Sequence, residues 1–130
     1  MKQKGFTVVE LLAAVVILVA AGSVFYVQKK DLEMTARDSD RKTALNAMFY
    51  SLEEVYYPAK KSYPRVISES VLPSVEPALF KDTKGVKIGE QSSEYRYEPS
   101  GCDGDNCKGY TLRADLERED DFVKTSRHKN

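Results

Sequence analysis

The chain has 130 residues, with 20 Lys and Arg against 20 Asp and Glu, so its formal net charge is zero. That balance supports neither a basic nucleic-acid footprint nor an acidic solvating tail, and the length leaves room for one small folded unit beside a long apolar segment. With its single His at position 128, no glycine-rich phosphate loop and no metal cluster, the chain lacks a catalytic constellation and reads as a protein that is not an enzyme and carries no cofactor.

Lys2 and Lys4 precede an apolar run that begins at Phe6 and is broken once, at Glu10. Residues 11–27 then hold seventeen positions without a charge, close to the roughly 20 that cross a bilayer as a helix. The leading lysines predict a cytoplasmic N-terminus with the remainder sent outward, although Lys29 and Lys30 on the far side weaken that orientation. A secretory signal peptide is the plainer reading, since Val19-Ala20-Ala21 before Gly22-Ser23 is an acceptable cleavage site. Against it, Glu10 strands Phe6, Val8 and Val9 ahead of a charge, a pattern of no use to a signal peptide. A carboxylate inside such a segment is a functional-site hypothesis by default, with snorkelling to the headgroups as its bland alternative.

The run Lys4-Gly5-Phe6-Thr7-Val8-Val9-Glu10-Leu11-Leu12 resembles the processing and assembly motif of type IV pilins and pseudopilins. The resemblance implies that a prepilin peptidase cuts after Gly5, removing residues 1–5 as a leader, and that Phe6 becomes an N-methylated terminus. Glu10 would then be the fifth residue of the mature chain, and the family pattern pairs it with the Phe6 amine of a neighbouring subunit. The physical logic agrees, because an ammonium and a carboxylate each carry a desolvation cost in an apolar bundle that their mutual attraction offsets. The implied partners are other pilin subunits in a homopolymer, the peptidase, the membrane before assembly and the assembly machinery. The implied locations are the inner or cytoplasmic membrane for the precursor and a surface filament after assembly.

Beyond the apolar helix (6–28), residues 29–57 hold neither Pro nor Gly and predict an amphipathic continuation. Glu33 with Arg37 and Asp38 with Lys42 are favourable i,i+4 pairs on what reads as a solvated spacer. Leu45, Met48, Phe49, Leu52, Val55 and Tyr56 then form an apolar stripe that should hold a globular head. Pro58 is expected to end the helix, and residues 58–90, with four of the five prolines, read as a variable connection with one helical turn around Ser68 to Leu72. Within it Lys60, Lys61 and Arg65, beside Tyr57 and Tyr63, form a basic and aromatic cluster that could touch anionic sugars or nucleic acid, against the plainer reading of a solvated loop.

From residue 86 onward the pattern alternates: Val86 and Ile88, Tyr95 and Tyr97, then Tyr110, Leu112, Ala114 and Leu116 on one face, with charged residues and Thr111 opposite. Residues 91–116 therefore predict an antiparallel sheet with one wet face, its two best strands joined by a long loop over residues 99–109. Cys102 and Cys107 in the loop 102–107 predict a disulfide if the head lies outside the cytoplasm, a ring so small that it mainly rigidifies the tip. Asp103, Asp105 and Asn106 around Gly104 resemble the opening of a calcium loop, but no later Glu completes an EF-hand; zinc is two ligands short. Residues 117–130 are charged almost throughout and are expected to form a mobile tail.

The expected fold is therefore α+β and pilin-like: a long N-terminal helix whose C-terminal half packs on a small antiparallel sheet. The expected function is a structural subunit of a type IV pilus or related filament, serving adhesion or twitching motility. The alternatives are a minor pilin, a DNA-uptake pilin, a secretion pseudopilin or, in another class, a membrane-anchored or secreted binding domain. The surface ligand is not identified by the sequence, and nucleic acid has no support from the net charge.

Overall fold

A computed structural model describes residues 5–128, so Lys2 and Lys4 lie outside the described residues. The chain divides into two compact units, one ending at Met34 and one beginning at Thr35. A single helix, α1 (Val8–Tyr50), contributes to both.

In the first unit Thr7 starts the helix: its Oγ1 accepts the Glu10 amide at 3.3 Å and its carbonyl accepts the Leu11 amide at 3.1 Å. Thr7 and Glu10 thus have the spacing of a capping box, a Thr at N-cap and a Glu three residues on. Every residue from 5 to 30 is exposed, and the apolar side chains of 11–27 run round the whole helix rather than along one stripe, the composition of a helix meant to be covered on all sides. The helix is continuous through Gly22 and Ser23, where the Ser23 hydroxyl donates to the Val19 carbonyl at 2.8 Å.

The second unit is the head. Ala44, Leu45, Met48, Phe49 and Leu52 present the expected stripe to the core. The stripe then changes phase, because residues Ser51–Tyr56 form a π-helical segment in which the Tyr57 amide bonds the Leu52 carbonyl five residues back. The wider turn leaves Val55 53 % exposed and carries Glu53 into the core at 4 %. The helix also outlasts Pro58, continuing as α2 (Tyr57–Lys60) with that proline in its first turn, where an amide is not required. It closes at Lys61, whose amide bonds the Tyr57 carbonyl at 2.7 Å.

Within the connection, β1 (Tyr63–Pro64) is followed by the expected turn at Ser68, whose carbonyl accepts the Leu72 amide at 2.9 Å, and by a short 3-10 helix, Pro77–Phe80. Ile67, Leu72, Val75 and Phe80 from this irregular stretch enter the core. Val86 and Ile88 do not form a strand. A lone bridge joins Lys81 to Lys87, and the loop is organised by the buried Asp82 carboxylate, which accepts the amides of Lys84, Val86 and Glu94 at 2.9 Å each.

The sheet is antiparallel, with β2 (Tyr95–Asp103) and β3 (Asn106–Ala114) forming a long hairpin. β3 is central: β2 flanks one side, while β1 and β4 (Phe122–Thr125) share the other. Two expectations are corrected here. The stretch 99–109 is mostly strand, because β2 is an edge strand and an edge tolerates Pro99; only Gly104 and Asp105 turn, with Gly104 at φ 61. The stretch expected as a mobile tail, 117–130, is not free over its described residues, 117–128, since β4 pairs with Thr111 to Ala114 and Ser126 is buried.

Candidate processing and assembly site

Gly5, Phe6 and Glu10 sit together at the start of α1. Phe6 is 81 % exposed, and a Cβ built on Gly5 would meet no atom within 4 Å, so the fold itself does not require a glycine there. Glu10 lies in the first turn, where the helix dipole favours a carboxylate. Among the described residues the Glu10 carboxylate has no ion-pair or hydrogen-bond partner. The arrangement is an accessible backbone followed by an unpartnered anion at the head of an uncovered apolar helix.

The head holds two buried polar clusters that sequence reasoning did not find. In one, Arg41 is fully enclosed. Its guanidinium donates to Asp38 at 2.7 Å, Glu94 at 3.1 Å and Thr83 at 3.1 Å, and lies 3.6 Å from Glu117. Asp38 also accepts the amides of Glu117 and Arg118 at 2.9 and 3.0 Å. Burial works against the Asp38 charge, yet those two amides and Arg41 together hold its carboxyl below the usual carboxylate range. The i,i+4 partnership expected between Asp38 and Lys42 gives way to tertiary partners, with Lys42 taking Glu119 at 2.7 Å and Arg37 forking onto Glu117. The spacer is therefore packed from Asp38 onward.

In the other cluster, Glu53 accepts the hydroxyls of Tyr63 and Tyr110, at 3.0 and 2.8 Å, and the Arg127 amide at 3.1 Å. Burial, and after it the Glu53 carboxylate, push the Tyr110 phenol far above its ordinary value. His128 stacks on Tyr57 with 4.1 Å between ring centroids. These contacts tie the C-terminal segment to the helix. No local signal marks Glu53 in the sequence, because its burial depends on the π-helical phase change.

At the hairpin tip Cys102 and Cys107 face each other across β2 and β3 and form the expected disulfide. Asp103, Asp105 and Asn106 lie beside it at the turn. Asn106 Oδ1 accepts the Ser62 hydroxyl at 3.0 Å, and the Gly104 carbonyl accepts the Arg65 guanidinium at 3.1 Å. The expected basic and aromatic cluster is split by the fold: Lys60, Lys61 and Arg65 are exposed, whereas Tyr63 is in the core.

Residues 1–26 match the family model described as the prokaryotic N-terminal methylation motif. The chain opens with a type IV prepilin signal. The prepilin motif points to a structural subunit of the type IV pilin or pseudopilin type, processed by prepilin peptidase and assembled into filaments. With the apolar helix it fits a membrane-anchored precursor and a surface filament. The long helix followed by a four-stranded antiparallel sheet is an α+β arrangement like that of type IV pilins. No curated protein and no solved structure matches the chain.

Proposed function

We propose that the chain is the structural subunit of a type IV pilus or a closely related filament, and that it polymerises through the apolar part of α1 after cleavage between Gly5 and Phe6. The observation that carries this reading is Glu10, a carboxylate without a partner among the described residues, at the start of an apolar helix whose residues up to Lys30 are all exposed. Cleavage creates an α-ammonium at Phe6. In a bundle of such helices the Glu10 carboxylate of one subunit neutralises the Phe6 ammonium of the next and sets the axial step, because a one-residue slip would leave both charges desolvated and unpaired. The exposed head displays its sheet and hairpin tip for adhesion or for gripping surfaces during twitching.

Mass spectrometry of the mature protein tests the processing step. The expected N-terminus is methyl-Phe6; a start at Gly22 or an intact Met1 would sink the proposal and leave an anchored or secreted binding domain. Glu10→Val should be cleaved normally yet be absent from sheared filaments. Deleting the chain should abolish surface filaments together with adhesion or twitching, whereas loss of secretion or of DNA uptake alone would assign it to the pseudopilins or the uptake pilins.

A further inference from the structure

Where α2 meets the hairpin tip, the head carries a groove of about 250 Å³ lined by Tyr57, Lys61, Ser62, Asp103, Asn106 and Lys108. Lys61 there adopts the left-handed conformation, φ 57 and ψ 23, and among the described residues it is the one non-glycine with positive φ. Helices commonly close on glycine or asparagine at such a position, and strained backbone held by a bulkier residue is a mark of a functional site. The Lys61 side chain is exposed, and its ammonium hangs 6.0 Å above the Tyr57 ring. Opposite it, the stem of Lys108 lies against Gly101, where an added Cβ would come within 3.1 Å of the Lys108 Cβ.

Lys61 and Lys108 are the unpaired head cations that line this groove, although Lys60, Arg65, Lys81 and Lys124 also lack a carboxylate partner among the described residues. Arg37, Arg41, Lys42, Lys84, Lys87, Arg96 and Arg127 all have carboxylate partners in the head. Among the described residues Lys61 and Lys108 have none, although Asp103 lies in the same groove. Lys60 and Arg65 add positive charge beside it. Because Ser62 donates to Asn106 Oδ1, the Asn106 amide NH2 is left available to the groove.

We propose that this groove binds an acidic saccharide. Lys61 and Lys108 take its carboxylate or sulfate, while Ser62, Asn106 and Asp103 exchange hydrogen bonds with ring hydroxyls. One feature turns the groove away from nucleic acid. Single strands bind on open aromatic platforms, but Tyr57 is already stacked on His128 and tilted against the buried Tyr63. The site lies wholly within the head and does not depend on how the N-terminal helix assembles.

The test is isothermal titration of the full chain in detergent micelles with a sulfated hexasaccharide, an oligogalacturonate, neutral maltohexaose, inorganic phosphate and a single-stranded oligodeoxynucleotide. At least one acidic oligosaccharide should bind, with affinity that falls as salt rises, and maltohexaose should not. Lys61→Gly and Lys108→Gln should each weaken binding about tenfold, the loss of one charge-assisted contact. Lys61→Gly should at the same time raise the melting temperature by relieving the left-handed backbone, so that weaker binding cannot be ascribed to unfolding. The proposal is overturned if neither acidic oligosaccharide binds, if phosphate or the oligodeoxynucleotide binds as tightly as the better saccharide, or if both variants bind like the parent chain.

Discussion

Glu53 shows how much one side chain decides in a small head. Its carboxylate is enclosed and satisfied by two phenols and one backbone amide. Glu53→Ala would strand all three donors in the core and should cost about 3 kcal/mol in denaturant unfolding, far more than an exposed Glu54→Ala. Asp38, Asp82 and Glu117 define an acid limit. For Asp38 and Asp82 burial opposes ionisation, but amide donors and nearby cations outweigh it; for Glu117 the Arg37 fork leads. All three carboxyls lie below their ordinary range. A depressed folded-state pKa contributes stability above the unfolded value and loses it as pH falls through the folded one. The melting temperature should therefore stay level near neutrality and drop below about pH 4, with Asp82→Asn flattening part of the fall. At the alkaline end burial raises the phenols of Tyr63, Tyr97 and Tyr110 and pushes Tyr95 up to about 12. Their share of stability is complete below the unfolded value of about 10 and lost above it. Spectrophotometric titration should show these four phenols ionising only as the head unfolds.

Among the elements, the helix end and the hairpin depart most from what local pattern foretells. An apolar stripe read at a constant period assigns Val55 to the core. One π-helical turn shifts the phase and substitutes Glu53, a change that only the tyrosines and the C-terminal segment opposite make tolerable. Pro58 reads in the sequence as a helix stop but falls where the last turn begins, at a position whose amide is dispensable. The hairpin is longer than its Pro and Gly content suggests, because β2 pairs on one side only. With nine residues in each strand, the hairpin does not need its disulfide to form. Replacing Cys102 and Cys107 together by Ser should lower stability by about 2 kcal/mol, the loop-entropy share of so short a ring, while far-UV circular dichroism keeps its sheet signal. Gly109 is tighter: a Cβ there would lie 2.9 Å from the Ser126 Oγ and 3.0 Å from the Ser100 Oγ. Gly109→Ala should displace Ser126, loosen β4 and lower the melting temperature, by several degrees at about 1–2 kcal/mol.

At the scale of the whole molecule, covering is divided between the chain and its surroundings. The head buries its own core, whereas the described apolar residues before Lys29 are all exposed. A chain beginning at Lys29 should accordingly stay soluble without detergent and melt within a few degrees of the full-length head, and one lacking residues 122–130 should lose that cooperative melt, because β4 and the Arg127 amide complete the core. The N-terminal motif, the uncovered helix and the strand alternation of Tyr95, Tyr97, Tyr110, Leu112 and Ala114 were all legible from the sequence alone, since each depends on neighbours within a few positions. The same holds for the cysteine pair, six residues from end to end. The tertiary structure alone decided that Glu53, Asp38 and Arg41 belong inside, that the charged C-terminal stretch supplies a strand, and that Lys61 and Lys108 face one groove. For the buried charges the deciding partner lies dozens of residues away, Glu117 for Asp38, Glu94 for Arg41 and Tyr110 for Glu53, and a charge whose partner is that distant carries no local mark of whether water or protein will satisfy it.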